Sequence, residues 1–240
     1  MTETVNAEQA VLIDQAAPTD QAAPTDKALP IEVPHLEVPG VYRIETMSLK
    51  EGMPMVLDMT RAVYPHDEIF GEYCTVHEYV AAPPDEVYEY LADTRSLCEW
   101  TYSMRGFERT DEPGLWVSDD RIGSNTRIYT RTEANPGART VDYHCAWDQG
   151  EHLWMIYLMR VVDAQPLLNK PGSVVLWTNC HHPFYDENGH PESAPADRPV
   201  WVGDFWHLFA AGHLLELRNL KAICEHRHSA GQPIKPEWMD

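Results

Sequence analysis

Residues 127–131 read RIYTR. Side chains two apart on a strand share a face, so Arg127, Tyr129 and Arg131 would stand as two guanidiniums flanking a phenol. A guanidinium is always charged. Held in a dry cavity, it can stabilise an oxygen that becomes negative during a reaction. A phenol or imidazole beside it can move a proton. Alternation gives parity and not direction, however, and the same pattern suits the solvent face of an edge strand, so both readings stand.

Histidines form the second group, and there are 12. His144, His181, His213 and Glu216 could be arranged as a zinc or iron site, since imidazole and carboxylate suit those metals. Their spacing matches no metal motif: HEXXH is absent, and His207 and His213 fall on different sides of a helix. The simpler reading is a single imidazole, His213, working as an acid/base in a cavity with no metal and no cofactor. Aromatics form the third group. Trp100, Tyr102, Tyr143, Trp147, Trp177, Trp206 and Phe209 would suit a flat ligand by stacking, with Trp147 and Trp177 the preferred pair. For any one of them, ordinary core is the competing reading.

These groups need elements to hold them. The segment from Asp204 to His228 carries Trp206, Phe209, Ala210, His213, Leu217, Leu220 and Cys224 at three- and four-residue spacing, widened by Phe205, Leu208, Leu215 and Ile223. That is one long helix with a broad apolar stripe, and a sheet is its natural partner. Strands are expected at 72–81, 106–110, 115–118, 125–132, 139–148, 152–162 and 173–181, separated by turn signals such as Asn135-Pro136-Gly137 and Lys170-Pro171-Gly172. Two short helices follow the first strand, in DEVYEYLAD and RSLCEWTY. The order predicts an α+β fold, a bent antiparallel sheet gripping one helix with a cavity between them.

Ahead of this domain, residues 1–40 repeat DQAAPTD and carry further prolines, a composition with little to bury against its ordering entropy, so a tail is expected. Residues 41–70 are ambiguous: VYRIETMSL could be a strand and MPMVLDMTRAVY a short helix, packing on the outside of a main domain at 71–231. Residues 232–240 are expected to form a second tail.

Composition narrows the function. The 240 residues carry Asp+Glu 38 against Lys+Arg 18, a net charge of −20 with no basic cluster. Nucleic acid and anionic membrane surfaces are therefore unsuitable partners. Five scattered cysteines without a CxxC pair point to free thiols, and the opening MTETVNAEQAVLIDQ has no basic segment followed by an apolar run. A cytoplasmic protein is expected, of unspecified oligomeric state.

Three stretches carry a resemblance. VAAPPDEVYEYLADTRSLCEW resembles the opening of the START-like (SRPBCC) helix-grip superfamily. ARTVDYHCAWDQGEHLWMIYLMRVV at 138–162 resembles the Arg-Thr-Val … Gly-x-x-x-x-Met segment of bacterial aromatic polyketide aromatase/cyclases of the tetracenomycin type, and LKAICEHRHSAG resembles their closing helix. The resemblance covers about residues 72–231. It implies a helix-grip fold and a cofactor-independent cyclase/dehydratase of secondary metabolism. In that reading Arg131 would stabilise an enolate oxygen, with Tyr129 and His213 as proton carriers and Arg127 and the aromatics as substrate contacts. The substrate would be a hydrophobic or aromatic small molecule, free or tethered to a carrier protein; an acidic carrier would be repelled by this chain's own charge. A non-catalytic carrier using the same cavity, and a metal enzyme using the histidines, are the alternatives.

Overall fold

The computed structural model describes residues 38–63, 72–123, 125–196 and 201–239. The expected N-terminal tail, up to residue 37, lies outside them. Seven strands form one antiparallel sheet: β1 (Tyr73–Val80), β2 (Met104–Arg109), β3 (Leu115–Asp120), β4 (Thr126–Asn135), β5 (Thr140–Trp147), β6 (Met155–Asp163) and β7 (Ser173–Cys180). Their spatial order is β1-β7-β6-β5-β4-β3-β2. Strands β2 to β7 thus make a meander, and β1 closes onto the last of them, Tyr73 opposite Cys180 and Val80 opposite Ser173.

Among the described residues, five α-helices accompany the sheet: α1 (Leu49–Val63), α2 (Pro84–Ala92), α3 (Leu97–Trp100), α4 (Ala164–Leu168) and α5 (Phe209–Ser229). Helix α2 starts with a proline at its first position and acids in its first turn, where the missing N–H costs nothing and the dipole favours carboxylates. The chain from β1 at one sheet edge to β2 at the other runs through α2 and α3. Gly106, at φ +65°, lies where the β2–β3 register slips between Arg105 and Glu108, a bulge that bends this edge.

Helix α5 lies against the sheet as expected, but it begins later. Val202–Leu208 is a 3₁₀ segment, and the α-helix starts at Phe209. Its buried residues include Leu217, Leu220 and Ile223, each without exposed surface. The ends of α2, α3 and α5 meet at a buried ion pair. Arg227 Nη1 and Nη2 each lie 2.8 Å from a Glu99 carboxylate oxygen, and the Tyr90 hydroxyl donates to Glu99 at 2.6 Å. Burial and this carboxylate push the Tyr90 hydroxyl well above its ordinary range, so it remains a donor.

The segments flanking the domain differ from expectation. Residues 232–239 are no tail: Ile234 and Met239 are buried in the core, and Trp238 Nε1 donates to Glu99. Residues 41–48 form turns rather than a strand, because their backbone bonds go to side chains and loops instead of a sheet edge. Tyr42 N–H donates to Asn219 Oδ1 at 2.9 Å, its carbonyl accepts from Asn219 Nδ2 at 2.7 Å, and Ile44 N–H donates to the Tyr102 carbonyl. Arg105, nearly fully buried, forks onto both Glu45 oxygens at 2.9 and 3.0 Å. Ser48 and Glu51 then cap α1 reciprocally, Ser48 N–H to Glu51 Oε2 at 3.0 Å and Glu51 N–H to Ser48 Oγ at 3.4 Å. So α1 is fixed to the domain, with Val56 packed among Tyr102, Ala211 and Leu215. Among the described residues, no helix is long and apolar enough to cross a membrane.

Candidate functional site

Between the sheet and α5 lies a cavity of about 350 Å³. Two helices wall it with the same spacing. Helix α5 contributes Phe209, Gly212, His213 and Glu216, with Leu215 at the stripe's margin, and α1 contributes Leu49, Gly52, Met53 and Val56. Positions i, i+3, i+4 and i+7 share one helical face, so each helix turns a single stripe inward. Helix α1 is therefore a wall of the cavity, and not a cover on the outside of the domain. The sheet supplies Ile128 from β4, Tyr143, Cys145 and Trp147 from β5, Met155 and Tyr157 from β6, and Trp177 from β7. Register explains the set: Tyr143 pairs with Tyr157, Cys145 with Met155, and Ile128 with Trp147, so all project from one face.

That register corrects the reading of RIYTR. The side chains turned toward α5 are Thr126, Ile128 and Thr130; Arg127, Tyr129 and Arg131 are on the opposite face. Arg131 pairs with Glu112, and Arg127 Nη1 lies 2.8 Å from Asp119 Oδ1. Neither arginine nor Tyr129 lines the cavity; they lie on the sheet's outer face, although β4 is an inner strand between β3 and β5 and not the edge strand of the alternative reading. The metal alternative is corrected as well. His144 sits on that same outer face, opposite Arg131 and Ile156, and cannot converge with His213. His181 stacks beside Tyr185 and Trp206 past the end of β7. Among the described residues a metal-like grouping occurs elsewhere, at His152, His190 and Glu192, on the surface and with the two imidazoles stacked at 3.5 Å.

Of the expected contacts, Trp100, Tyr102, Tyr143, Trp147, Trp177, Phe209 and His213 all line the cavity. Trp206 is not in the lining; it packs on Phe209 and Tyr185 behind it. Trp177 is the centre of the aromatic wall, edge-on to Trp100 at 5.6 Å and stacked on the His213 ring at 4.1 Å. The hydroxyls of two lining tyrosines are already committed, Tyr143 to the Leu91 carbonyl and Tyr102 to the Met47 carbonyl. Tyr157 hydrogen-bonds to Tyr185, whose hydroxyl accepts from Asn179 Nδ2 at 3.0 Å. Burial pushes the Tyr157 phenol well above its ordinary range.

The polar groups cluster. His213 is 8% exposed, and its Nε2 is buried without a hydrogen-bond partner among the described residues. Its Nδ1 lies 3.6 Å from Glu216 Oε2. That is beyond hydrogen-bond length but close enough for the carboxylate to favour the proton on Nδ1, leaving Nε2 as an acceptor. Glu216 is held by its other oxygen, which accepts from Tyr102 N–H at 2.9 Å. Asp120, at the end of β3, also lines the cavity and accepts from Ile122 N–H at 3.0 Å. Burial pushes its carboxyl up, the Glu216 charge adds to that, and hydrogen bonds from Ser103, Ile122 and Trp147 oppose it. Cys145 is no nucleophile, since burial pushes its thiol up to about 12.

No family model and no curated protein sequence matches the chain. Several solved structures align with about two thirds of the chain at low identity. The Zhui aromatase/cyclase of a Streptomyces species is 18% identical with a TM-score of 0.46, over 67% of this chain and 98% of that one. A START superfamily protein from Mycobacterium smegmatis is 13% identical with a TM-score of 0.45, over 65% and 99%. A protein of the dynemicin biosynthetic locus is 15% identical with a TM-score of 0.42, over 70% of this chain and 51% of its own.

Asp120, Glu216 in a non-metal role and Tyr157 were absent from the expected acid/base set. Asp120 sits at a strand end in SDDR, where sequence gives two adjacent acids of opposite parity, and only the β3–β4 register tells which one faces inward.

Proposed function

We propose that the protein binds a flat, hydrophobic or aromatic small molecule in this cavity and catalyses proton transfer on it, in the cyclisation–dehydration class of an aromatase/cyclase-like enzyme of secondary metabolism. The observation that carries the reading is His213: a buried imidazole, stacked on Trp177, with an unpartnered Nε2 in the cavity wall and a carboxylate beside Nδ1. A buried acceptor left unmet costs about 1–3 kcal/mol, and a bound substrate bearing an acidic C–H or an O–H would meet it.

In this reading Nε2 takes a proton from a methylene between two carbonyls. The resulting carbanion carbon closes on a further carbonyl carbon of the same open chain, forming the ring, and the alkoxide oxygen left there is protonated. A second proton is then lost from the ring carbon as the hydroxyl leaves with one proton as water. Glu216 steadies the imidazolium between these transfers. The same imidazolium returns its proton to the oxygen, first to the alkoxide and then to the departing hydroxyl, while Asp120 on the cavity wall stays a carboxylate that accepts hydrogen bonds from the substrate's hydroxyls. Every step is a proton transfer, a carbon–carbon bond formation or a loss of water, so no electron carrier is called for. The dry aromatic walls hold the chain folded in the conformation that closes.

The test is ring closure of a synthetic aryl poly-β-ketone, whose β-diketone methylene can reach a further carbonyl of the same chain, followed by absorbance of the aromatic product. Acceleration over buffer should fall by about 10²-fold or more in His213→Ala, as general acid–base catalysis predicts. The largely apolar lining favours one other reading, a carrier. Tight binding with no acceleration in the wild type would establish that reading and remove the enzyme.

A further inference from the structure

The cavity has a charge pattern that the reaction class does not require. Its lining holds two carboxylates, Asp120 and Glu216, and among the described residues no lysine or arginine. The two belong to different elements, the end of β3 and the middle of α5, and both line this one cavity. Both are held in place by backbone donors, Ile122 N–H for Asp120 and Tyr102 N–H for Glu216. The third polar group at this end, His213 Nε2, is buried, unpartnered among the described residues, and disposed to accept. Apart from the hydroxyls of Thr101 and Ser103 and the Cys145 thiol, the rest of the lining is mostly aromatic or aliphatic.

Resting on the reading of the cavity as a small-molecule site, we propose that Asp120 and Glu216 select its ligand by charge: a flat aromatic bearing hydroxyl or ammonium donors and no carboxylate. An O–H or N–H donor placed at this end meets three acceptors. A carboxylate there meets two like charges in a medium that screens them poorly, and it carries no proton to share with Nε2. The two acids thus act as specificity determinants, with stacking on Trp177 and Trp147 supplying the bulk of the contact. The substrate arrives free of acid groups at its aromatic end. An activity supplying it would release a ketone, phenol or amine there in preference to a free acid.

Naphthol, naphthylmethylammonium and naphthoate share one ring system and differ in charge. Titration calorimetry at neutral pH and physiological salt, where surface charge is screened beyond about 8 Å, compares them directly. Naphthol and naphthylmethylammonium should bind more tightly than naphthoate by about tenfold or more in Kd. Glu216→Gln and Asp120→Asn, which keep shape and acceptor oxygens, should each narrow that gap. Naphthoate binding as tightly as the other two, or a gap unchanged in both variants, overturns the selection while leaving the cavity as an aromatic site. Binding of none of the three overturns that site reading and the selection with it.

Discussion

Asn219 joins the N-terminal segment to the domain, and replacing it with leucine should loosen the cavity's α1 wall. The side chain is fully buried in α5. Its amide accepts from Tyr42 N–H at 2.9 Å and donates to the Tyr42 carbonyl at 2.7 Å and the Trp100 carbonyl at 3.2 Å. Leucine has nearly the same volume and makes none of these bonds. The Trp100 carbonyl belongs to a residue 1% exposed, so its unmet acceptor costs about 1–3 kcal/mol. Tyr42 is 37% exposed, and its backbone can turn to water if residues 41–48 lift away, so its two bonds are worth about 0.5–1.5 kcal/mol each. A total near 4 kcal/mol corresponds to a Tm drop of roughly 8–16 °C at this chain length. The signature is local. Hydrogen exchange should speed up in residues 42–59 more than in β5 or β6. Affinity for a naphthol probe should fall about tenfold or more, because the α1 wall is lost, and buried Val56 alone is worth about 1.5–3 kcal/mol, with half-buried Met53 adding less. Tyr102→Phe, which removes the hydroxyl bond to the Met47 carbonyl, should act the same way at about 1 kcal/mol. A variant that loses stability yet keeps wild-type exchange in residues 42–59 and wild-type affinity would refute the role of Asn219 as a pin for the wall.

Four other outcomes follow from the same structure. Arg227→Met leaves the Glu99 carboxylate buried without its partner and should cost about 3–5 kcal/mol in urea unfolding, whereas joint replacement of both by apolar residues should recover much of it. Arg131→Ala breaks a pair on the outer face and should change stability by at most about 1 kcal/mol and ring closure not at all; a large loss of turnover would reinstate Arg131 in the mechanism. Thiol labelling of the native protein at neutral pH should be fast at exposed Cys180 and slow at Cys145, whose burial holds the thiol near 12. Asp120 has a folded-state pKa above its unfolded value, so its native form holds a proton more readily, and its contribution to stability falls as pH rises from the ordinary aspartate range through the raised value. Asp120→Asn should therefore be more stable than wild type at neutral pH, and that advantage should vanish at acid pH where both states are protonated.

The fold was readable because periodicity and turn chemistry act locally. The three- and four-residue stripe from Phe209 to Cys224 could only be a helix buried against something broad, and turns such as Asn135-Pro136-Gly137 cut the strands within a few residues of their true ends. The flanks were misread for the opposite reason. Residues 41–48 and 232–239 have no periodicity of their own, and what orders them is distant: Asn219, Arg105 and Glu99 reach out from the domain to take them. Aromatics were placed well, since a large ring in this fold lies either in the core or on the cavity wall, and here the core is the wall.

Direction was the quantity that sequence did not contain. In β4 both parities carry plausible interior groups, Ile128 and Thr130 on one side and Tyr129 on the other. Its neighbours do not break the tie, because Leu115 and Val117, on the outer face opposite Arg131 and Tyr129, are buried as well. What breaks it is pairing to β5, where Ile128 meets Trp147 and Arg131 meets His144. Once that register is fixed, the two arginines go to acidic partners outside, and the cavity is left with carboxylates and one imidazole. The sign of the site's charge is thereby inverted from the expected one, from a cationic cradle for an oxyanion to an acceptor cluster for a proton-bearing ligand. A strand's one-residue ambiguity is thus enough to exchange the electrostatics of a whole site, and the helix, whose period allows one inward stripe, is what preserved His213 through the exchange.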